Sequence, residues 1–321
     1  MIEFVVKEDG AGQRLDKLVR KLLERVPLSH IYKMVRTKKV RVNGARTTIE
    51  YKLQPGDKVT IFGEERTLLG PPLKRTPAAL VSAHYNFVVL HEDAHILVCD
   101  KPAGLAVHTG TGIFGATLVD QARGYIGGEY APGEFKPSPA HRLDRETSGV
   151  VIVAKTRAAM VALAKQFEEN HPDKRYLALV KGHLHQREGT IDLPLSEHQQ
   201  TAVSKQQRGV NMQQARTRWR SLARAQDISL VECTLETGRT HQIRRHLASI
   251  GHPIVGDSKY GDFPFNRRAK TNWGVRRQLL HAASLTIRHP ADGRVAKFAA
   301  PLPADFRSVA ERAGLPLPPP S

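Results

Sequence analysis

Apolar residues Leu15, Leu18, Leu22 and Val26 recur at helical spacing in "GQRLDKLVRKLLERV", which predicts an amphipathic helix interrupted by Pro27. Ser29 is placed to cap a second short helix that buries Ile31, Met34 and Val35. The pattern then changes period. In "KVRVNGARTTIEYKLQPGDKVTIF", Val40 and Val42 alternate with basic residues, and Asn43-Gly44 and Pro55-Gly56-Asp57 mark turns. Residues 1–62 thus read as a small domain of two helices and a hairpin-rich sheet. Periodicity fails in "GEERTLLGPPLKRTPAALVSAH", and Pro71-Pro72 disfavours helix and sheet, so residues 63–84 read as a linker.

From Phe87 to Phe306 strand and helix patterns mix. "NFVVLHEDAHILVCDKPAGLAVH" gives two strands around a polar turn, and "GVVIVAKT" is a buried strand. "RAAMVALAKQFEEN" is a helix and "KRYLALVKGHL" a further strand. "SLVECTLETGRTHQIRRHLASIGHPIVGD" reads as strand, turn, helix and loop, with Thr240 at the helix N-cap and Gly251 at its end. "LLHAASLTIRHP" and "VAKFAAPLP" close the series as strands. Strands outnumber helices and short turns join several of them, so the fold class is α+β with a mixed sheet over residues 85–310. Residues 123–139 and 197–216 are polar and irregular, the pattern of disordered or functional loops. Residues 311–321, ending "LPLPPPS", read as an extended, disordered tail.

Charge narrows the partner. Lys plus Arg number 49 against 31 Asp plus Glu in 321 residues, a net charge of +18, which favours a polyanion. No apolar run has the length of a membrane span or the look of a signal-peptide core, so nucleic acid and a cytoplasmic location lead. Residues 1–60 hold 14 Lys or Arg against 7 Asp or Glu, a net of +7. Lys33, Arg36, Lys38, Lys39 and Arg41 crowd the second helix and the turn after it. A solvated face is the ordinary reading of a charge run, but this density exceeds what solubility requires. With Arg14 these residues form the candidate RNA-binding set. Cys99 and Cys233 lie in apolar strand-like runs and suit a reducing compartment.

Several chemistries drop out. There is no zinc-type Cys/His cluster, no phosphate loop of the G-x-x-x-x-G-K-[ST] kind and no dinucleotide-type G-x-G-x-x-G after a strand. The histidines, among them His141, His183, His241, His246, His252 and His281, are expected to be structural or RNA-facing, and no metal is expected. Three stretches remain. "HRLDRETSG" carries Asp144 between Arg142 and Arg145, where an ion pair is the default reading. "KRYLALVKG" carries Tyr176, by itself a packed aromatic. In "TGRTHQIRRHLASIGHPIVGD", Ile243, Leu247 and Ile250 share a helical face that Arg244 borders. A buried arginine needs an anionic partner, and Asp144 is one candidate.

"HRLDRETSGVVIVAKT", "KRYLALVKG", "TGRTHQIRRHLASIGHPIVGD" and "LLHAASL" resemble, in order and character, the motifs of the RluA-type pseudouridine synthases. The likeness covers about residues 87–305. The first 62 residues resemble the small RNA-binding domain of ribosomal small-subunit protein four, and the layout resembles that of synthases acting on large-subunit ribosomal RNA. This resemblance implies an isomerase that converts uridine to pseudouridine without cofactor or metal. It places the essential carboxylate on Asp144, the active-site tyrosine on Tyr176 and the basic partner on Arg244. Arg142 matches an arginine that fills the space of the flipped nucleotide, and Ile243 an apolar residue of the pocket. The implied partner is RNA, 23S ribosomal RNA first, and the implied state a cytoplasmic monomer. Two alternatives stay open: a synthase acting on transfer RNA, and a non-catalytic RNA-binding ribosome-assembly factor on the same scaffold. Duplex-DNA regulation lacks any groove-reading arrangement.

Overall fold

A computed structural model describes residues 1–23, 26–63, 85–109, 115–127, 130, 134–169, 171–196 and 212–317. The first unit contains β1 (Ile2–Val5), α1 (Leu15–Leu22), α2 (Leu28–Arg36), β2 (Val40–Val42) and β3 (Lys58–Ile61). Its sheet runs β1-β3-β2 and is antiparallel throughout. Leu15, Leu18, Val19, Ile31, Met34, Val59 and Ile61 form a core of their own. Helical spacing placed Leu15, Leu18, Ile31 and Met34 correctly, but two boundaries differ. α1 stops at Leu22, and α2 starts at Leu28 with Pro27 in the cap position. The Pro27 carbonyl already accepts from the amides of His30 and Ile31, so Ser29 sits inside the first turn rather than at the cap. Asn43 and Gly44 both take positive φ, as a tight turn requires, but β2 pairs with the distant β3.

The larger unit is built on one ten-stranded mixed sheet. Its elements are β4 (Val88–Glu92), β5 (Ile96–Lys101), α3 (Leu118–Ile126), β6 (Ser138–Pro139), β7 (Ser148–Ala154), α4 (Arg157–Glu168), β8 (Asp173–Lys181) and β9 (Glu188–Asp192). A two-stranded ribbon, β10 (Leu195–Ser196) and β11 (Met212–Gln213), stands apart. β12 (Arg216–Ala225), β13 (Ile228–Leu235), α5 (Gln242–Ser249), α6 (Phe263–Trp273), β14 (Leu280–Arg288), β15 (Val295–Ala299) and α7 (Ala304–Arg312) complete it. The order is β4-β5-β7-β14-β8-β13-β12-β9, with β15 on β14 and β6 on β7. The β7–β14 pair is parallel and the others are antiparallel.

Strand parity sorts the core into faces. Tyr176, Ala178 and Val180 of β8 join Val151, Val231, Ile243 and Leu247 on one side. Leu177 and Leu179 turn to the other, against Phe265, Trp273, Phe306 and Val309. β7 is buried at every position, which is why it reads as an unbroken apolar run rather than an alternating one. Both cysteines are free thiols in this core.

Other expectations shift. The polar stretch 123–139 begins inside α3, which Thr117 and Asp120 start with a capping box. Its residues 128, 129 and 131–133, the linker residues 64–84 and the loop residues 197–211 lie outside the described residues. The expected tail is not extended at its start: Glu311 and Arg312 close α7, and Ala313 and Leu315 are buried. Residues 318–321 lie outside the described residues. α5 is preceded by His241 in the left-handed conformation, not capped by Thr240; the Gln242 side chain instead accepts from the Thr237 hydroxyl and the Arg239 amide. Ile250 is exposed, because it lies past the last helical turn.

Gly149 is where β14 meets β7. At φ 116°, a Cβ on it would lie 2.2 Å from the Ala282 carbonyl oxygen. Gly149→Ala should destabilise the fold by at least about 2 kcal/mol. Thermal denaturation followed by circular dichroism checks this, with a fall in Tm of roughly 5–10 °C expected.

Candidate active site

Asp144 sits in the loop between β6 and β7. Buried groups pin that loop from below. The Lys101 ammonium donates to the carbonyls of Pro102, Leu105 and Arg145 at 2.8–3.0 Å. Burial pushes this amine down to about 7, yet its three protons meet three acceptors, the arrangement that suits the charged form. Arg277 donates to the Glu146 carbonyl and Gln278 to the Thr147 hydroxyl. On the other side, burial drives His141 down to about 3, so its neutral Nε2 accepts from the Ile152 amide while the ring stacks on Phe167. The Thr147 amide donates to the Asp144 carbonyl and closes the turn.

α5 brings the cation. Arg244 is nearly buried. Nη1 donates to Asp144 Oδ2 at 2.9 Å, while Nε and Nη2 form a two-point clamp with Asp257 at 2.7 and 2.9 Å. Burial opposes the Arg244 charge, and the hydrogen bonds to Asp257 and Asp144 more than reverse it. Burial likewise raises Asp257, but Arg244 and the amides of Tyr260 and Lys259 bring its carboxyl below the usual range. The Tyr260 ring lies beside the guanidinium, 5.2 Å from centroid to Cζ, and its hydroxyl pairs with His241 Nδ1 at 3.1 Å. His241 Nε2 lies 3.6 Å from Asp144 Oδ1, beyond hydrogen-bond reach. Burial pushes His241 below its ordinary value, which keeps it neutral at physiological pH.

Asp144, His241 and Arg244 line a cavity of about 280 Å³. Arg142, Asp144, Tyr176, Ile243 and Arg244 all border it, so the five residues expected from sequence meet in one place, with His241 beside them. Tyr176 presents a buried ring. Desolvation first, and the nearby Asp144 charge second, raise its phenol well above the ordinary value, so it is neutral at physiological pH. Arg142 is exposed at the mouth, and Ile243 is buried in the wall. Lys101, Asp257 and Tyr260 were not singled out from sequence, and His241 was expected only to be structural or RNA-facing. Asp257 closes the quoted "GHPIVGD", and its signal was a carboxylate ending an otherwise apolar stretch.

The first unit presents a different surface. Lys33, Arg36, Lys38 and Lys39 are exposed along the end of α2 and the turn after it. Arg41 is half-buried against the Phe62 ring, and Arg14 is tied to Asp16 through two hydrogen bonds of 3.1 Å. The first four form a patch; Arg14 and Arg41 are engaged within their own domain.

The family described as RNA pseudouridylate synthase matches residues 95–249, and the S4 domain matches residues 13–59. The chain belongs to the RNA pseudouridylate synthase family and is an RNA pseudouridine synthase with an N-terminal S4 domain. Ribosomal large subunit pseudouridine synthase C of Salmonella typhi is 38% identical over 318 residues, 95% of this chain and 94% of that protein. The protein of the same name from Escherichia coli (strain K12) is 39% identical over 309 residues, 92% of each chain. The solved structure of human RNA pseudouridylate synthase domain containing 4 has a TM-score of 0.58 at 27% identity, covering 72% of this chain and 94% of that one.

Asp257 is the buried counter-charge of the site, so Asp257→Asn should destabilise the fold by about 3 kcal/mol or more. A carboxyl lowered in the folded state stabilises the fold above its unfolded value, near 3.9, and loses that contribution as pH falls through its folded value. The wild-type advantage over Asp257→Asn, measured by urea denaturation, should therefore be full at pH 6–7 and shrink below about pH 4.

Proposed function

We propose that this enzyme isomerises specific uridines to pseudouridine in large-subunit (23S) ribosomal RNA, and that Asp144 is the reacting carboxylate. The observation that carries the reading is a half-buried Asp144 held at 2.9 Å by an arginine that a second, buried carboxylate clamps in place. The ribosomal large-subunit names of relatives that match nearly end to end support the RNA target.

The reaction breaks the bond from the ribose to a ring nitrogen, turns the uracil and joins the sugar to a ring carbon. The freed nitrogen gains a proton and that carbon loses one, so the change is redox-neutral. Cleavage builds electron deficiency at the sugar, which an adjacent carboxylate stabilises, attacks or relieves by taking a proton. Arg244 orients the carboxylate; its own orientation is set by Asp257, so little rearrangement is needed as charge develops. A uridine within a stacked helix must be extruded to reach the cavity, at about a few kcal/mol. Arg142 at the mouth fits the vacated place in the RNA, and Ile243 shapes the wall. Tyr176 offers a ring for stacking and, being a neutral phenol, does not serve as a phenolate base.

The S4 unit anchors RNA in this reading. Lys33, Arg36, Lys38 and Lys39 supply phosphate contacts, with Arg14 and Arg41 in supporting positions. No helix among the described residues is long and apolar enough to cross a membrane. A ribosomal RNA substrate supports a cytoplasmic location in this reading.

Asp144→Asn keeps the shape and removes the charge. It should abolish turnover of ribosomal RNA transcripts under single-turnover conditions, read by nucleoside mass spectrometry, with RNA affinity changed less than about threefold. Measurable turnover by this variant would overturn the assignment. A chain starting near residue 80 should bind RNA more weakly, and its salt slope should be shallower by roughly 0.7–0.9 per lost phosphate contact. It should still isomerise a short target at saturating concentration. Binding across a salt series, with turnover measured alongside, checks both.

A further inference from the structure

Far from the cavity, three side chains converge on one point. His91 is the penultimate residue of β4, Asp93 lies in the turn to β5, and His289 follows β14. Leu280, at the opposite end of β14, borders the active-site cavity. The nine residues of β14 lead from Leu280 to His289, a span on the order of 30 Å. His289 Nε2 is 2.7 Å and His91 Nε2 3.3 Å from the same carboxylate oxygen, Asp93 Oδ2. The three ligand atoms all lie within 4.8 Å of one another.

We propose that His91, Asp93 and His289 form a site for a divalent transition-metal ion, with Zn²⁺ the natural occupant. Two imidazole nitrogens and one carboxylate oxygen are a donor set for Zn²⁺, Co²⁺ or Ni²⁺ rather than for Mg²⁺ or Ca²⁺. A tetrahedral ion at about 2.0–2.2 Å from each donor sets donor pairs roughly 3.3–3.6 Å apart, so the 3.3 Å pair already fits and the 2.7 Å pair must open by under about 1 Å. The His91 side chain, 40% exposed beside the Phe298 ring, has room to adjust. Three protein ligands leave a fourth position for water.

The surroundings are built for this role. Asp93 Oδ1 accepts the amides of His95 and Ile96 at 2.7 and 2.8 Å, which fixes the carboxylate and aims Oδ2 at the imidazoles. His289 Nδ1 takes a long contact of 3.4 Å from the Ala291 amide and lies 3.7 Å from Asp292 Oδ1. With an ion on Nε2 the ring proton moves to Nδ1, where the Asp292 carboxylate can accept it, the arrangement that commonly orients a metal-bound histidine. The neighbouring cation, Lys155, is answered by Glu92 at 2.7 Å. Pairing His91 and Asp93 with a residue 196 positions beyond Asp93 explains why no metal spacing shows in the sequence. The bound ion would staple the β4–β5 hairpin to the β14–β15 connection, a structural rather than a catalytic role.

The test uses the full chain, untagged and freed of metal by chelator. Co²⁺ is titrated by visible absorption, Zn²⁺ by displacement of Co²⁺, and Tm is measured with and without Zn²⁺. The expected result is saturation near a single equivalent, with a rise in Tm. His91→Ala, His289→Gln and Asp93→Asn should each weaken binding by at least about tenfold, while Asp144→Asn should leave it unchanged. His91→Ala decides the matter if a buried variant misfolds, because His91 is exposed. Absence of saturable binding at micromolar metal, or tight binding that survives His91→Ala, would overturn the proposal.

Discussion

A guanidinium taken out of water must be matched by negative charge, and the proposed active site is organised around how Arg244 is matched. Asp257 takes two of its nitrogens in a buried, two-point clamp, and Asp144 takes a third at the cavity. The two carboxylates are not equivalent. The Asp257 side chain is 1% exposed and is satisfied by backbone amides as well, whereas that of Asp144 keeps 23% exposure. Desolvating such a cluster costs several kcal/mol, and complete hydrogen bonding offsets that cost. The result is an arginine that cannot turn away and a carboxylate aimed by it.

The rest of the larger domain brings these three residues together. Asp144 precedes β7, Arg244 lies on α5 and Asp257 follows it, more than 100 residues on from Asp144. The loop carrying Asp144 is held by Lys101 at the end of β5 and by Arg277 and Gln278 before β14. β7 and β14 run parallel at this end, and Gly149 lets them touch. Strand parity puts the Tyr176 ring on the same face of the sheet as α5. Small side chains and buried polar anchors thus do for the loop what apolar packing does for the strands.

The S4 unit works by a different physics. Its interior is a closed apolar cluster, and its basic residues at the end of α2 stand in solvent. Exposed charges contribute little to stability and are screened by salt. They suit reversible attachment to a polyanion, whereas the buried charges of the active site are insulated from ionic strength. The charge excess of the chain therefore bears on the partner, and the few buried charges on the proposed chemistry.

Much of this was legible from residue order. Period-3.6 and period-2 patterns located α1, α2, α4, α5 and most of the central strands, because a buried face imposes its spacing directly on the chain. Asp144, Tyr176, Arg244, Arg142 and Ile243 were legible through motif resemblance, and the cavity brings all five together. Elements governed by local capping or by contacts with distant strands were less visible: α3, α6 and α7 went unpredicted, and Ile250 was assigned to a core it does not enter. Partnership between charges was not legible at all. Arg244 had one candidate partner in the sequence and has two in the fold, and His91, Asp93 and His289 gave no sign of converging. Sequence by itself determined which segments must bury a face and which residue types were at hand for chemistry. Tertiary structure decided which charges face each other, because hydrogen bonds between side chains depend on distances of about 3 Å that no spacing along the chain encodes.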